Sequence, residues 1–310
     1  MKKLLHFIVL YLTSGVLSTL FAYEVVVATM FHNEGDYLKE WIEYHRMIGV
    51  DHFWMYNDRS SDQWEEVLGP YIKEGLVEVF DWPIPNVENV FLNEGYVLTQ
   101  CLAFKDALKR GVGVAKWVAF IDLDEFILPV KGSSLPECLD KYFQNAQAVY
   151  INWRCFGTGG VSLPKGHPIL FQLTASSLQN HPRNCVGKTI VRPEAALSEM
   201  LWSPHFCSLK QGAQYHNGDG QIISVDGPDL KTDGYTHMKF IRINHYVMRD
   251  ENYFQNVRLE RARKGYNGYK ITDEKLLLEH NHDFSIVKDS ALTNFIKKYY
   301  PQMCDFWVNK

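Results

Sequence analysis

Short, almost continuous apolar runs alternate with amphipathic stretches between residues 24 and 129, and this alternation constrains the fold more than any other feature. The runs are rich in β-branched and aromatic residues, as expected of strands buried on both faces. Such strands form parallel sheets whose crossover helices cover both faces. The sequence therefore predicts an α/β fold with a mostly parallel central sheet, built from the runs Val25–Ala28, Phe53–Tyr56, Val77–Phe80 and Trp117–Ile121.

The stretches between these runs carry the signals of crossover helices. Ser61 is a predicted N-cap for a helix over residues 62–71, and a further helix is predicted over residues 98–108, ended by Gly111 and Gly113. The first stretch has one apolar helical face that Gly49 ends, because apolar residues recur there at steps of three and four: Leu38, Trp41, Ile42, His45 and Ile48.

The N-terminus differs in character from the rest of the chain. Lys2 and Lys3 precede a mostly apolar run over residues 4–21, and Ala22 offers a small residue for signal cleavage. We expect residues 1–23 to be a signal peptide, with an uncleaved signal anchor as the alternative, since the run reaches the lower length limit of a spanning helix. The lysine pair keeps the N-terminus inside, so the body is predicted to be exported or membrane-anchored across the membrane.

Charge and cysteine usage narrow the class of protein. The net charge is −4 and there is no long basic run, so the electrostatic footprint of a nucleic-acid-binding protein is missing. The six cysteines are widely spaced and form no CxxC pair, so the sequence gives no sign of a structural zinc site. They could form one or two disulfides in an exported chain, or they could be free buried thiols. The chain has no N-x-S/T acceptor site, which favours a bacterial source.

The fourth apolar run leads directly into three acids, in the segment Ile121-Asp122-Leu-Asp124-Glu125-Phe126. Ligands of open α/β sheets collect at the carboxyl ends of strands. The Asp122 and Asp124 carboxylates could hold one hard divalent cation, leaving positions for a diphosphate and water. A strand cap is the alternative, but acids at the end of a buried strand are costly unless a cation or basic groups neutralise them. We therefore expect a metal and diphosphate site here.

Residues spread over most of the chain after Tyr23 resemble glycosyltransferase family 92 and the similar bacterial family 2-like enzymes. The strand-borne Asp-Leu-Asp-Glu-Phe run is the most specific match. The other matching residues are Asn33-Glu34, Tyr37-Leu38, Glu40-Trp41, His45, Gly49, Tyr56-Asn57-Asp58, Ser61-Asp62, Gln100, Trp117-Val118, Trp153, Phe156-Gly157, Lys188-Thr-Ile-Val191, His205 and Asn244-His245-Tyr246.

This resemblance implies a GT-A fold, which is Rossmann-like, and Mn²⁺ or Mg²⁺ as cofactor. It also implies transfer of a hexose, with galactose as one candidate, from a nucleoside diphosphate sugar such as a UDP-hexose to a glycan or other hydroxyl acceptor. We expect one catalytic domain over residues 24–310, with residues 24–129 as the nucleotide-binding half and residues 130–310 as the acceptor-side half.

The predicted metal ligands are Asp122, Asp124 and His245. His245 lies in the strand-like run Ile243–Val247 and resembles the C-terminal histidine that completes the metal shell in many GT-A enzymes. A core histidine is the alternative, and His205 is a second candidate ligand. Nucleotide-sugar contacts are predicted for Asn33, Glu34, Asp58, Asp122, Lys188 and Arg258, with Arg261 one turn from Arg258 on a helix that starts near Asp250.

Some of these residues have a structural alternative. Asp58 is equally an Asx-turn former, Asn33 and Glu34 could simply cap the first helix, and the arginines could form a solvated charged face. Transfer in the family is inverting, which implies a carboxylate that deprotonates the acceptor hydroxyl. Asp219, in the glycine-rich segment His216-Asn-Gly-Asp-Gly220, is the candidate base. Glu194 and Glu199 compete with it.

Two other functions are considered. A haloacid-dehalogenase-type phosphatase also carries a D-x-D motif at a strand end, but on its first strand, whereas here the motif follows the fourth predicted strand. An exported nucleotide- or sugar-binding module without catalysis is the second alternative, and the intact acidic motif argues against it. The sequence therefore favours a metal-dependent hexosyltransferase.

Overall fold

The computed structural model describes residues 21–82, 92–197, 203–224, 234–263 and 274–308, apart from the side chains of residues 92–98 and 308. Residues 1–20, which hold most of the predicted signal segment, lie outside this range. The strands are β1 (Tyr23–Phe31), β2 (His52–Asn57), β3 (Val77–Asp81), β4 (Ala115–Phe120), β5 (Glu125–Pro129), β6 (Ala148–Cys155), β7 (Ala175–Ser176), β8 (Gly187–Val191), β9 (Tyr215–Asn217), β10 (Ile222–Ile223), β11 (Ile241–His245) and β12 (Val287–Lys288).

Helices pack against both faces of this sheet. They are α1 (Gly35–Met47), α2 (Trp64–Glu74), α3 (Leu92–Gly111), α4 (Leu135–Tyr142), α5 (Glu251–Tyr253), α6 (Leu259–Arg263), α7 (Glu274–Asp283), α8 (Ala291–Tyr299) and α9 (Cys304–Val308). A π-helical turn, Phe254–Arg258, joins α5 to α6, and 3₁₀ turns span Pro182–Cys185, Pro193–Ala195 and Pro301–Met303.

The sheet has a parallel part and a mixed part. Strands β3, β2, β1 and β4 pair in parallel in that order, which is the 3-2-1-4 order of a doubly wound nucleotide-binding fold. Strand β8 runs antiparallel between β4 and β6. Strand β11 pairs in parallel with β6 and antiparallel with β5. The predicted Rossmann-like α/β fold is therefore confirmed.

Alternate side chains of the parallel strands enter two cores. Val25 and Val27 of β1 lie in the larger core with Trp41 of α1, whereas Val26 of β1 lies in the smaller core with Phe104 of α3. Each fully buried aliphatic or aromatic side chain of this kind stabilises the fold by roughly 1.5–3 kcal/mol. This two-sided burial is why the strands read as continuous apolar runs.

Helix boundaries agree with the sequence at the end of α1 but differ at α2 and α3, and α3 begins at Leu92, six residues before its predicted start. Gly49 ends α1 with φ of 99°, a left-handed conformation that favours glycine. The prediction of Ser61 as N-cap is wrong, because α2 begins at Trp64 with Gln63 as its N-cap. The preceding residues are engaged elsewhere: the Asp62 carboxylate accepts from the Gly35 amide at 2.6 Å and therefore ties this segment to the start of α1.

Two further expectations bear on export. All six cysteines fall in the described residues and are free thiols, so of the two alternatives the structure has free thiols. Within the described ranges, no helix combines the length and apolar character that crossing a membrane requires.

Candidate active site

The acidic turn after β4 is held rigidly by the backbone. The Glu125 amide donates to the Asp122 carbonyl at 3.1 Å and closes the turn. The Trp41 indole of α1 donates to the carbonyls of both Asp122 and Glu125, at 3.1 and 2.9 Å. Leu123 between the two aspartates is buried in the larger core. The turn therefore presents its acids from a fixed frame.

Strand register brings His245 to this turn from a distant part of the chain. In the β5–β11 pairing His245 lies opposite Glu125, and the Tyr246 amide donates to the Asp124 carbonyl at 2.7 Å. The His245 Nε2 atom is 3.5 Å from Asp124 Oδ2. The His245 ring also packs against Trp153, with 4.3 Å between ring centroids.

The side chains of Asp124, Glu125 and His245 fit a divalent cation. Their candidate ligand atoms all lie within 4.8 Å of one another. Glu125 is fully buried, and its Oε1 atom has no hydrogen-bond partner among the described residues. Burial raises the pKa of Glu125 well above its usual value, which a bound cation would offset. Burial would also raise the pKa of Asp124, but the adjacent His245 ring and the positive charge of Arg249 and Arg258 hold it below its usual range.

Asp122 has different partners from Asp124. The Lys188 Nζ atom is 2.9 Å from Asp122 Oδ2, and the Gln100 amide donates to Asp122 Oδ1 at 2.6 Å. Lys188 lies on β8 and is 1% exposed. Burial alone would lower the pKa of its ammonium group, but the carboxylates of Asp122 and Glu125 raise it above its usual value. Lys188 therefore supplies a permanent positive charge beside the acidic turn.

Asp122, Asp124, Lys188 and His245 line one cavity of about 450 Å³, whereas the fully buried Glu125 is not among its lining residues. A volume of this size suits a small-molecule ligand. The basic and acidic residues that line the cavity are His32, Glu34, Asp58, Asp122, Asp124, Arg183, Lys188, His205, His245, Arg249, Arg258, Arg261 and His280. The predicted nucleotide-sugar residues Glu34, Asp58, Asp122, Lys188 and Arg258 are thus brought together, and their roles stay predictions.

Comparison with known proteins assigns the chain to a family. A family model described as glycosyltransferase family 92 matches residues 22–267. The chain belongs to glycosyltransferase family 92. The match includes the parallel strands, the acidic turn and β11, so it covers every element that builds the cation group.

The relatives are distant and considerably longer than this family 92 chain. A glycosyltransferase family 92 protein of Ricinus communis is 27% identical over 210 residues, which cover 66% of this chain and 35% of that protein. A galactan beta-1,4-galactosyltransferase of Arabidopsis thaliana is 30% identical over 193 residues, which cover 60% of this chain and 36% of that protein. This chain spans about a third of the length of these curated relatives.

Among solved structures, a mannosyltransferase from Pyrobaculum calidifontis in complex with GDP-Man and Mn²⁺ is similar over 93% of this chain and 72% of that one. Its sequence identity to this chain is 9% and its TM-score is 0.39.

Asn33 lies in the loop after β1 but is not a cavity-lining residue. Its φ is 54°, and its side-chain oxygen accepts from the Ser61 amide at 2.7 Å, while its own amide donates to the Ser60 hydroxyl at 3.0 Å. It therefore braces the loops after β1 and β2 and does not cap α1, whose N-cap residue is Glu34. Asp58, at the end of β2, anchors the same region through its amide, which donates to the Phe31 carbonyl at 2.9 Å.

Two of the candidate bases, Asp219 and Glu194, do not line the cavity. Asp219 sits in the turn between β9 and β10, where its carboxylate is 3.1 Å from His237 Nδ1 and accepts from the Lys239 amide at 2.8 Å. Glu194 accepts from the Gly113 amide at 2.8 Å, near the start of β4. Glu199 lies outside the described residues. The geometry therefore gives no support to Asp219 or Glu194 as the base, because both carboxylates serve turns outside the cavity.

Arg249 is a cavity residue for which the sequence analysis assigned no role. It is 3% exposed, pairs with Glu34 at 2.6 Å, and lies 3.5 Å above the centre of the Tyr37 ring. Its φ of 52° is unusual for a residue with a side chain, and such strain gathers at functional sites. The one signal that could have found it is a charged residue four positions after the strand-borne His245.

Proposed function

We propose that this family 92 chain is a metal-dependent glycosyltransferase that moves a hexose from a nucleoside diphosphate sugar to a hydroxyl group of a glycan. The observation that carries the proposal is the meeting of Asp124, buried Glu125 and His245, with Asp124 and His245 lining a ligand-sized cavity beside the Asp122–Lys188 ion pair. Carboxylate and imidazole donors suit Mn²⁺, and carboxylates suit Mg²⁺. Membership of the family supports the reaction class.

Each part of the cavity wall has a task in this proposal. Asp124 and His245 hold the cation, with Glu125 beside them, and the cation when bound neutralises charge on the leaving diphosphate. Lys188 and Arg258 attract the phosphates, and Lys188 also orients Asp122 toward the donor. Asp58, at the end of β2, lies where the base or ribose would extend from the phosphates.

Galactose is the hexose that we propose first. The support is that matched relatives are galactan beta-1,4-galactosyltransferases, although the aligned part covers about a third of those proteins. An inverting course, with a UDP-hexose donor and a glycan acceptor, belongs to the same proposal. It requires one proton acceptor on the face of the sugar opposite the diphosphate.

We also propose that the catalytic domain works across a membrane from its site of synthesis, exported or anchored by residues 1–23. The support is the lysine pair followed by an apolar run in the sequence. Fractionation of cells that express the full chain, with N-terminal sequencing of the product, tests this part. A full-length product in the cytosolic fraction would contradict it.

A screen of nucleotide sugars with the full chain tests the proposed reaction. We expect release of nucleoside diphosphate from one donor, dependent on added Mn²⁺ or Mg²⁺, and faster release when a galactan oligosaccharide is added. Binding of the nucleotide without turnover would favour a non-catalytic binding module. Release of phosphate from phosphate esters would favour a phosphatase.

A further inference from the structure

The proposed reaction needs a proton acceptor, and the lining carboxylates are all engaged. Among the described residues, each acid on the cavity wall has a partner: Glu34 has Arg249, Asp58 has Arg59, Asp122 has Lys188 and Gln100, and Asp124 has His245. A cation beside a carboxylate favours its charged form and so makes it a weaker base. The acceptor of the proton is therefore to be sought among the histidines.

Four histidines line the cavity within the described residues, and three of them are poorly suited. His32 is engaged through both ring nitrogens, with Nδ1 2.5 Å from the Asp58 carbonyl oxygen and Nε2 3.2 Å from the Asn33 amide nitrogen. His245 belongs to the cation group. His280 stacks on Phe284. The charged groups that shift its pKa are Arg183, His181, Asp283 and Glu279, and none of them belongs to the acidic turn.

His205 is the fourth histidine, and its tautomer is fixed by the backbone. Its Nδ1 atom is 2.9 Å from the carbonyl oxygen of Gly187, the residue before Lys188 on β8. A carbonyl oxygen only accepts hydrogen bonds, so Nδ1 carries the proton and Nε2 has the lone pair. The ring packs against Trp153 at 5.4 Å between centroids, and the Thr189 hydroxyl donates to the His205 carbonyl at 2.8 Å. His205 is thus held at the cavity wall with a defined acceptor atom.

The surroundings of His205 keep that acceptor atom available. Burial, and then the positive charge of Lys188, lower the pKa of His205 to about 4. The ring is therefore neutral near pH 7, so the lone pair of Nε2 is present to accept a proton.

We propose that Nε2 of His205 accepts the proton of the acceptor hydroxyl during sugar transfer, an inference that rests on the proposed function. In this step the hydroxyl oxygen forms a bond to the anomeric carbon of the donor. The bond from that carbon to the diphosphate oxygen breaks, and its electron pair leaves with the diphosphate. The hydroxyl proton moves to Nε2, and the resulting imidazolium later releases it to water.

His205→Gln in the full chain is the principal test. Glutamine keeps an amide that can donate to the Gly187 carbonyl and an oxygen that can accept a hydrogen bond, but it takes up no proton at working pH. We expect kcat for transfer to fall at least about 100-fold, the usual scale of general-base catalysis, with donor KM and the Mn²⁺ activation curve unchanged. His167→Gln, at a histidine outside the cavity wall, is the control and should transfer at the wild-type rate.

His205→Ala gives an independent readout by chemical rescue. We expect the same loss of kcat, partly restored by imidazole added to the solution, and no such restoration in His167→Ala or in the wild type. A structural role for His205 would instead be recovered by glutamine and would be insensitive to imidazole.

The outcomes separate this inference from the proposed function. If the wild type transfers sugar and His205→Gln is equally fast, the inference fails while the proposed function stands. Weaker Mn²⁺ or donor binding in the variant would make His205 a ligand and overturn the base role, as would a folded His205→Ala that imidazole does not restore. A wild type that transfers no sugar from any nucleotide donor would overturn the proposed function and this inference with it.

Discussion

The cavity has an acidic wall and a basic wall, and they are built differently. The acidic wall is the turn over residues 122–125, whose shape is set locally by β4 and by two hydrogen bonds from Trp41. The basic wall consists of Lys188 and Arg249, both almost fully buried and brought in from distant parts of the chain. Asp122 and Asp124 of this turn keep some contact with solvent, whereas a buried cation depends on its partner. Substitutions in the acidic wall should therefore affect mainly activity, whereas substitutions in the basic wall should affect mainly stability.

Substitutions in the acidic wall should lower the rate of sugar transfer and leave the fold intact. Asp124→Asn removes one anionic ligand without opening a space, so we expect the fold to be kept and transfer to fall at least about 1,000-fold, equivalent to several kcal/mol of lost charge stabilisation. Transfer rates at limiting Mn²⁺, with a melting curve beside them, measure this. Asp140→Asn, on the surface of α4, is the matched control. Near-normal turnover of Asp124→Asn at limiting Mn²⁺ would show that the metal site is wrongly placed.

Substitutions in the basic wall should lower the free energy of unfolding. Lys188→Met leaves Asp122 without its cation next to buried Glu125, and because the Asp122 side chain is 35% exposed we expect the lower end of the cost of breaking a buried pair, about 3 kcal/mol. Urea denaturation measures the free energy of unfolding, and Lys188→Met combined with Asp122→Asn should recover part of the loss. Lys116→Met is the control, because Lys116 pairs with Glu24 and Asp140 near the surface and should cost less than about 1 kcal/mol. Equal losses of unfolding free energy in Lys188→Met and Lys116→Met would contradict the claim that the basic wall has a special role in stability.

The sequence predicted the acidic wall better than the basic wall for a physical reason. Burial on both faces makes β1 to β4 visible as apolar runs, and the acids follow β4 directly, so local pattern was sufficient. The pairing of Lys188 with Asp122 depends on where β8 enters the sheet. Likewise, the approach of His245 to Asp124 depends on the register of β11 against β5. Register of distant strands leaves no local signal, so resemblance to a family had to supply those residues.

The prediction of Asp219 as the base stays untested, and it shows how far a turn signal carries. Glycines around it correctly indicate a turn, and the structure has that turn between β9 and β10. A turn signal says nothing about which end of the sheet the turn occupies, and the Asp219 carboxylate instead fixes the amide of Lys239. Arg249 was missed because nothing in its local pattern separates a buried arginine from a solvated one.

The contact between α1 and the backbone at residues 169 and 170 should depend on pH. Glu40 of α1 is buried and accepts hydrogen bonds from the Ile169 and Leu170 amides at 2.9 to 3.0 Å, and burial raises its pKa from 4.5 to about 7. Because the folded-state pKa is raised, its contribution to stability is full below pH 4.5 and is lost as pH rises through 7. Relative to Glu40→Gln, the wild type should lose about 3 kcal/mol between pH 4.5 and 8.

Urea denaturation of both proteins at several pH values measures this difference. A constant difference across the range would mean that Glu40 has an ordinary pKa in the fold.

The smallest change in stability and activity is expected for Asp219, which lies in neither wall of the cavity. Asp219→Asn weakens a hydrogen bond to the Lys239 amide and a contact with His237, so we expect a stability loss of about 1 kcal/mol and a transfer rate within about twofold of wild type. Parallel melting and transfer assays on one preparation check it. A large fall in kcat with an unchanged melting temperature would instead restore Asp219 as the catalytic base.

Binding of Mn²⁺ to the full chain, with and without His245→Ala, tests the cation site most directly. Free Mn²⁺ can be followed by its electron paramagnetic resonance signal during titration in the presence of UDP. We expect one site in the wild type and at least about tenfold weaker binding in His245→Ala, with only a small change in the melting temperature of the metal-free protein. Identical Mn²⁺ titrations, with a metal-free variant destabilised by about 1–3 kcal/mol, would instead make His245 a structural residue and contradict the proposed cation site.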